Sequence, residues 1–322
     1  VTHIKLFDLH CDTVTEAYNR GIGVYAPDLA SSFAKGEGLE AEIKTCAIFT
    51  PDEFRGQAAF DRFVSVARYL KEEVARGDKR IQITDFSQMG ENLSGKYYML
   101  SAESGACLAG KPENIPALAS LGVRLLSLTW NGATELASGV LAGNGGLTEM
   151  GREAVGLLEE NNIVLDVSHL NDKGLEDVCA IAKRPFAATH SNARAVCANK
   201  RNLTDGQFSE IRNRGGLVGI NLHRPFLSDD PDAATIKSVL AHAEHFLALG
   251  GENTLCCGFD FDGTDMLPPE LDDLDKTDRL YEAFIQGGIG ERIAEKIFFE
   301  NAFSFFKRYD ILGIRGQDTG NR

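Results

Sequence analysis

Short β-rich apolar runs recur along this chain, separated by longer stretches whose apolar residues fall at helical spacing. Eight such runs stand out, at 4–9, 43–50, 97–102, 123–129, 163–167, 186–189, 217–222 and 254–258. Segments of helical character separate most of them, at 51–76, 112–121, 148–161, 171–182, 204–214 and 232–249. Asn171 and Thr204 stand where N-caps belong, because their side chains can accept from N–H groups that a first helical turn leaves free. A further helical pattern covers 290–309. Eight strand–helix units in one stretch give the arithmetic of an α/β fold, a single (β/α)8 TIM barrel with an extra C-terminal helix. An open doubly wound sheet usually has a glycine-rich turn after its first strand. Here the first run ends in His10-Cys11-Asp12, and no GxGxxG follows. The stretch GNGG at 143–146 lacks a Walker lysine and reads as a flexible loop. No linker or repeat divides the chain, so residues 1–322 are expected to form one domain.

In such a barrel the C-terminal strand ends converge on one mouth, where active sites lie. Five of the eight runs aim a histidine or a carboxylate there: His10 and Asp12, then Glu103, His169, His190, and finally Asp260 and Asp262. A lone histidine at a strand end, or a lone aspartate in a turn, is usually structural. Convergence of several is what carries meaning. Alternation along a strand puts His10 and Asp12 on one face and Cys11 on the other. Histidine with carboxylate suits Zn²⁺ and similar first-row ions. Five ligands exceed what one ion needs, and a carboxylate can bridge two. The economical arrangement is therefore two Zn²⁺ ions, with His10 and Asp12 on one, His169 and His190 on the other, and Glu103 between. Two ions roughly 3.5–4 Å apart can hold a hydroxide and polarise a carbonyl. Asp260 is then free to accept and return a proton, whereas Asp262, beside Gly263, reads as a turn residue.

Composition narrows the partners. The formal net charge is −14, which repels phosphate backbones and anionic lipid, so neither nucleic acid nor membrane is expected. Seven scattered cysteines without a CxxC argue for a reducing compartment. No run reaches membrane-spanning length and no signal pattern opens the chain. A cytoplasmic location is expected, with a removed signal peptide as the other option, and a homodimer is compatible. In this acidic setting the loop HSNARAVCANKRNLTD carries Arg194, Lys200 and Arg201, any of which can bind a substrate carboxylate. His223 ends the seventh run and faces the mouth as a substrate contact. His242 and His245 read as helix-face residues, since HAEH has the spacing of neither HExxH nor HxxEH. His3 reads as an exposed residue before the first strand. No GxSxG or SxxK supports a serine nucleophile.

The stretches DLHCDT, SAESG, LDVSH, THSNARAVCANKRN and GFDFDG, in this order, resemble the motifs of the membrane (renal) dipeptidase family, zinc peptidases of the amidohydrolase superfamily. The resemblance runs from residue 7 to about residue 263. It implies an amidohydrolase-like barrel with two Zn²⁺ ions that hydrolyses dipeptides, including L-Xaa-D-Xaa, by attack of a metal-bridging hydroxide. It gives His10 and Asp12 to one ion, His169 and His190 to the other, Glu103 to both, and the acid–base role to Asp260. It also singles out Arg201 for the dipeptide's free carboxylate. One departure stands out. Many members carry a histidine after the fourth strand that helps stabilise the carbonyl oxygen in the transition state; here Trp130 occupies that place. Indole N–H donates one hydrogen bond but carries no charge, and Asn131 beside it is a second donor. The departure leaves open another amide or ester, such as an N-acyl amino acid or a lactone, and a non-catalytic metal- or ligand-binding protein is the remaining alternative.

Overall fold

The computed structural model describes residues 4–77 and 80–319; His3 lies outside them. The strands are β1 Lys5–Cys11, β2 Ala41–Phe49, β3 Ile81–Gln82, β4 Gly95–Glu103, β5 Val123–Ser127, β6 Val164–Asp166, β7 Ala187–Ala188, β8 Leu217–Ile220 and β9 Leu255–Cys257. All pairings are parallel, in the order β2-β1-β9-β8-β7-β6-β5-β4, and β2 pairs again with β4. That second pairing closes eight strands into a barrel. The two-residue β3 is an addition that runs alongside the start of β4. Sequence periodicity did not suggest it, since two residues are too few to alternate. The helices Thr13–Arg20 and Thr277–Gln286 are likewise additions to the sequence reading.

Two caps form as their residue types require. Asn171 accepts from the Gly174 N–H, and Thr204 forms a capping box with Gln207. Asn171 also donates to the carbonyls of Gly143 and Gly145, which ties the GNGG loop to a helix start.

The barrel interior is divided by height. Its lower half is apolar: Phe7, Ile43, Met99, Leu125, Val164, Leu217 and Cys256 form one cluster with Phe299, Phe303 and Phe306. Those phenylalanines belong to the C-terminal helical stretch, which runs Glu291–Glu295, through a π-turn Lys296–Glu300, into Asn301–Thr319. Phe306 stacks on Phe7 and Phe86 with ring centroids 5.6 and 5.0 Å apart. The stretch is therefore the floor of the barrel rather than an appendage. With the floor dry, the polar ends of the strands are left to the opposite end.

Close approach shapes the far side. A Cβ on Gly219 or Gly258 would fall 1.9 or 1.8 Å from the Thr189 carbonyl oxygen. Only glycine lets β8 and β9 come so near to the segment that carries His190.

Candidate active site

The pairing of β1 slips between Asp8 and Cys11. Leu9 joins the floor cluster, Cys11 packs outward with its Sγ on the Thr45 carbonyl, and His10 faces the mouth beside Asp12. Beyond β9 the chain stays against β1, because Asp260 N–H donates to the His10 carbonyl and Asp12 N–H to the Phe261 carbonyl. Asp260 and Asp262 both adopt left-handed φ, 63° and 64°, a conformation aspartate tolerates better than most residues. Gly263 follows, where a Cβ would sit 2.3 Å from Asp12 Oδ2 and 2.5 Å from Asp260 Oδ1. A bare backbone is needed there for the two carboxylates to lie side by side.

The residues drawn from five separate strand ends meet. His10 Nε2 lies 3.2 Å from Asp12 Oδ2, 3.5 Å from Glu103 Oε2 and 3.7 Å from Asp260 Oδ1. The other oxygen of Glu103 lies 2.9 Å from His169 Nε2 and 3.9 Å from His190 Nε2. The Nε2 atoms of His169 and His190 are 2.9 Å apart. Glu103 thus stands between the two pairs with one oxygen turned to each. Asp260 belongs to the same close group of donors as His10 and Asp12, so it can share an ion with them as well as move a proton.

The donor set, imidazoles and carboxylates gathered closely enough to share an ion, fits metal ions by its chemistry. Burial works against protonation of His10, yet Glu103 and Asp12 outweigh it and hold the imidazole well above its ordinary value. Burial works against ionising Glu103 too, but His10 and His169 bring it below the usual carboxylate range. Burial, with Arg201 close by, pushes His169 down to about 4, and burial puts His190 well below its ordinary value. His169 Nε2 and His190 Nε2, side by side and both turned to Glu103, are donor types that hold first-row ions. Burial, assisted by Glu103, raises Asp260 above its ordinary value, the direction that makes a carboxylate a better proton acceptor.

A cavity of about 950 Å³ opens over this cluster. Trp130 forms part of its wall, 5.0 Å from Phe49 and 6.3 Å from His169 between ring centroids. Asn131 lines the same cavity. Its Oδ1 lies 3.1 Å from His169 Nδ1 and so orients that ring. Of the three loop cations only Arg201 lines the cavity, buried, with its guanidinium over Phe226 and donating to the Ser168 carbonyl and to His169 Nε2. Arg194 turns away to Asp172 at 2.8 Å. His223 lines the cavity, its Nδ1 2.7 Å from the Thr264 hydroxyl; burial, with Arg201 close by, brings it down to about 4.

Asp262 lies beside these groups but works on the chain itself. It accepts from the N–H groups of Ala30 and Ser31 and from the Thr13 hydroxyl, which fixes the loop after the first helix. His242 is on a helix, as its sequence context suggests, but on the buried side. Ala193 N–H donates to its Nδ1 at 3.1 Å, and its Nε2–H reaches the Leu227 carbonyl at 3.1 Å. It pins the loop that leads from His190 to Arg201. No sequence signal marks this, because the partners are backbone groups.

Residues 1–313 match the sequence profile of membrane dipeptidase, peptidase family M19. The chain belongs to this family. A metallopeptidase from Rhodobacter sphaeroides, liganded with a phosphinate mimic of the dipeptide L-Ala-D-Ala, superposes with a TM-score of 0.83 at 26% identity, covering 95% of this chain and 99% of that one. A metallopeptidase of family M19, dipeptidase AC, gives a TM-score of 0.84 at 27% identity with the same coverage. A dipeptidase of Schizosaccharomyces pombe is 28% identical over 219 residues, which are 67% of this chain and 54% of that protein. The barrel with its C-terminal helix is thus the family M19 architecture, and the protein is a metallopeptidase of that family. Among the described residues no helix is long and apolar enough to cross a membrane.

Proposed function

We propose that this protein is a binuclear zinc dipeptidase that hydrolyses dipeptides, L-Xaa-D-Xaa among them. The observation that carries the reading is the position of Glu103, one oxygen toward His10 and the other toward His169. His10 and Asp12 would hold one ion, His169 and His190 the other, and Glu103 both. When bound, the ions supply Lewis acidity toward water and the scissile carbonyl. Asp260 takes the proton of the attacking water and returns it to the leaving amine, a role its buried position beside His10 supports. Arg201 receives the C-terminal carboxylate and so measures a two-residue length, with His223 on the same wall. Phe49 and Trp130 offer an apolar surface to a substrate side chain.

Metal analysis together with turnover of a stereochemically varied dipeptide panel tests this. Two zinc ions per chain, activity on L-Xaa-D-Xaa, and inhibition by a phosphinate mimic of L-Ala-D-Ala are expected. Full activity after thorough zinc removal would exclude it. Trp130 favours one competing reading, in which the same centre acts on N-acyl amino acids or lactones. Turnover of those compounds with dipeptides left intact would decide for it.

A further inference from the structure

Beneath the metal-ligand cluster lies a second tier of polar groups. Asp166 ends β6 and is buried on the inside of the barrel. Its Oδ1 accepts from the Ser168 N–H at 3.0 Å, the Ser168 hydroxyl at 2.6 Å and the Thr189 N–H at 3.1 Å. Its Oδ2 accepts from the Thr189 hydroxyl at 2.6 Å. The same hydroxyl oxygen lies 2.8 Å from His190 Nδ1.

Counting hydrogens fixes the direction of this chain. A threonine hydroxyl has one hydrogen, and an ionised carboxylate can only accept. Ser168 Oγ also lies 3.2 Å from this hydroxyl, but Asp166 Oδ2 at 2.6 Å is nearer and can only accept, so the hydrogen goes to Asp166 and the hydroxyl oxygen accepts from His190. The proton of the neutral ring then sits on Nδ1, and Nε2, which faces His169 and Glu103, is left with its lone pair.

We propose that Asp166 and Thr189 are positioning residues that select the tautomer of His190 and so preset one half of the centre for a metal ion. The metal part of this inference rests on the two-ion reading above; the tautomer part does not. Asp166→Asn is the informative change. Oδ1 already serves three donors, so the amide oxygen takes that place and the NH2 group faces Thr189. The hydroxyl then accepts from the amide and turns its own hydrogen to His190 Nδ1. The ring proton moves to Nε2, where it opposes a cation.

Nitrogen-15 NMR of the imidazoles in metal-free protein reads the tautomer directly. The wild-type chain is expected to show Nδ1–H at His190, Thr189→Ser to keep it, and Asp166→Asn to switch it to Nε2–H. Metal titration by calorimetry is expected to show one of two ions bound about 10- to 100-fold more weakly in Asp166→Asn and Thr189→Val, with the other unchanged. If Asp166→Asn does not fold, the contrast between Thr189→Val and Thr189→Ser carries the same test. Nε2–H at His190 in the wild-type chain, or unchanged tautomer and affinities in the variants, overturns the proposal. A wild-type chain with the expected tautomer that takes up only one ion overturns the two-ion reading and leaves the positioning role supported.

Discussion

Glu103 turns one carboxylate oxygen toward His10 at 3.5 Å and the other toward His169 at 2.9 Å. In Glu103→Gln one of these oxygens becomes an N–H donor aimed at a site that needs a lone pair. Metal content after dialysis should then fall from two ions to one or none per chain, with hydrolysis lost in parallel. Elemental analysis decides the point: two retained ions would show that Glu103 does not bridge.

Asp260 offers a separate test, because its proposed work is proton transfer. Asp260→Asn keeps the shape and one oxygen but cannot take a proton. The expected outcome is a kcat lowered about 10²- to 10⁴-fold with two ions still bound. Steady-state kinetics alongside metal analysis reads both quantities, and an unchanged kcat would remove Asp260 from the chemistry.

Arg201 is the buried cation of the cavity, and lysine lacks its fork of donors. Arg201→Lys should lower kcat/KM for dipeptides about 10- to 100-fold, mainly through KM. Dipeptide amides, which have no carboxylate, should show little difference between the two chains. An equal loss on both substrates would place Arg201 in support of His169 instead.

His242 gives a pH dependence whose sign can be worked out. Burial brings its folded-state value down to about 4, against about 6.5 for an unfolded chain. Between those values the unfolded chain binds the extra proton, so stability rises with pH through that window. The contribution is complete above about 6.5, is lost as pH falls toward 4, and amounts to about 3 kcal/mol. In His242→Gln this part of the slope should vanish. Urea unfolding at pH 7.5, 5.5 and 4.5 checks it, and parallel losses in both chains would count against the assignment.

The barrel was legible in the sequence because its strands are apolar runs of the right length at regular intervals. Residues gathered at the mouth were legible because histidine is scarce in the chain and stands at several run ends. The tier below them was not. Asp166, Thr189 and Asn131 are residue types that turns and caps use everywhere, so their presence carries no signal until their partners are known. Charges in the wall of the barrel were equally hidden. Lys44 and Glu42 lie in a β2 buried along nearly its whole length, paired at 3.1 Å, with Arg80 on Glu42 at 2.8 Å. Alternation rules place such residues in solvent. Here the loop after the first helix folds over them, and Lys44 donates to the Ser31 carbonyl at 2.7 Å.

The aromatic floor couples this centre to the order in which the chain is made. Phe299, Phe303 and Phe306 are translated after every residue gathered at the mouth, and β1, which carries His10, holds Phe7 against them only three positions earlier. A barrel without this later segment would leave Phe7 and its apolar neighbours open to water from below. The strand that carries His10, threaded through both floor and mouth, gains part of its support from a segment translated after the whole centre.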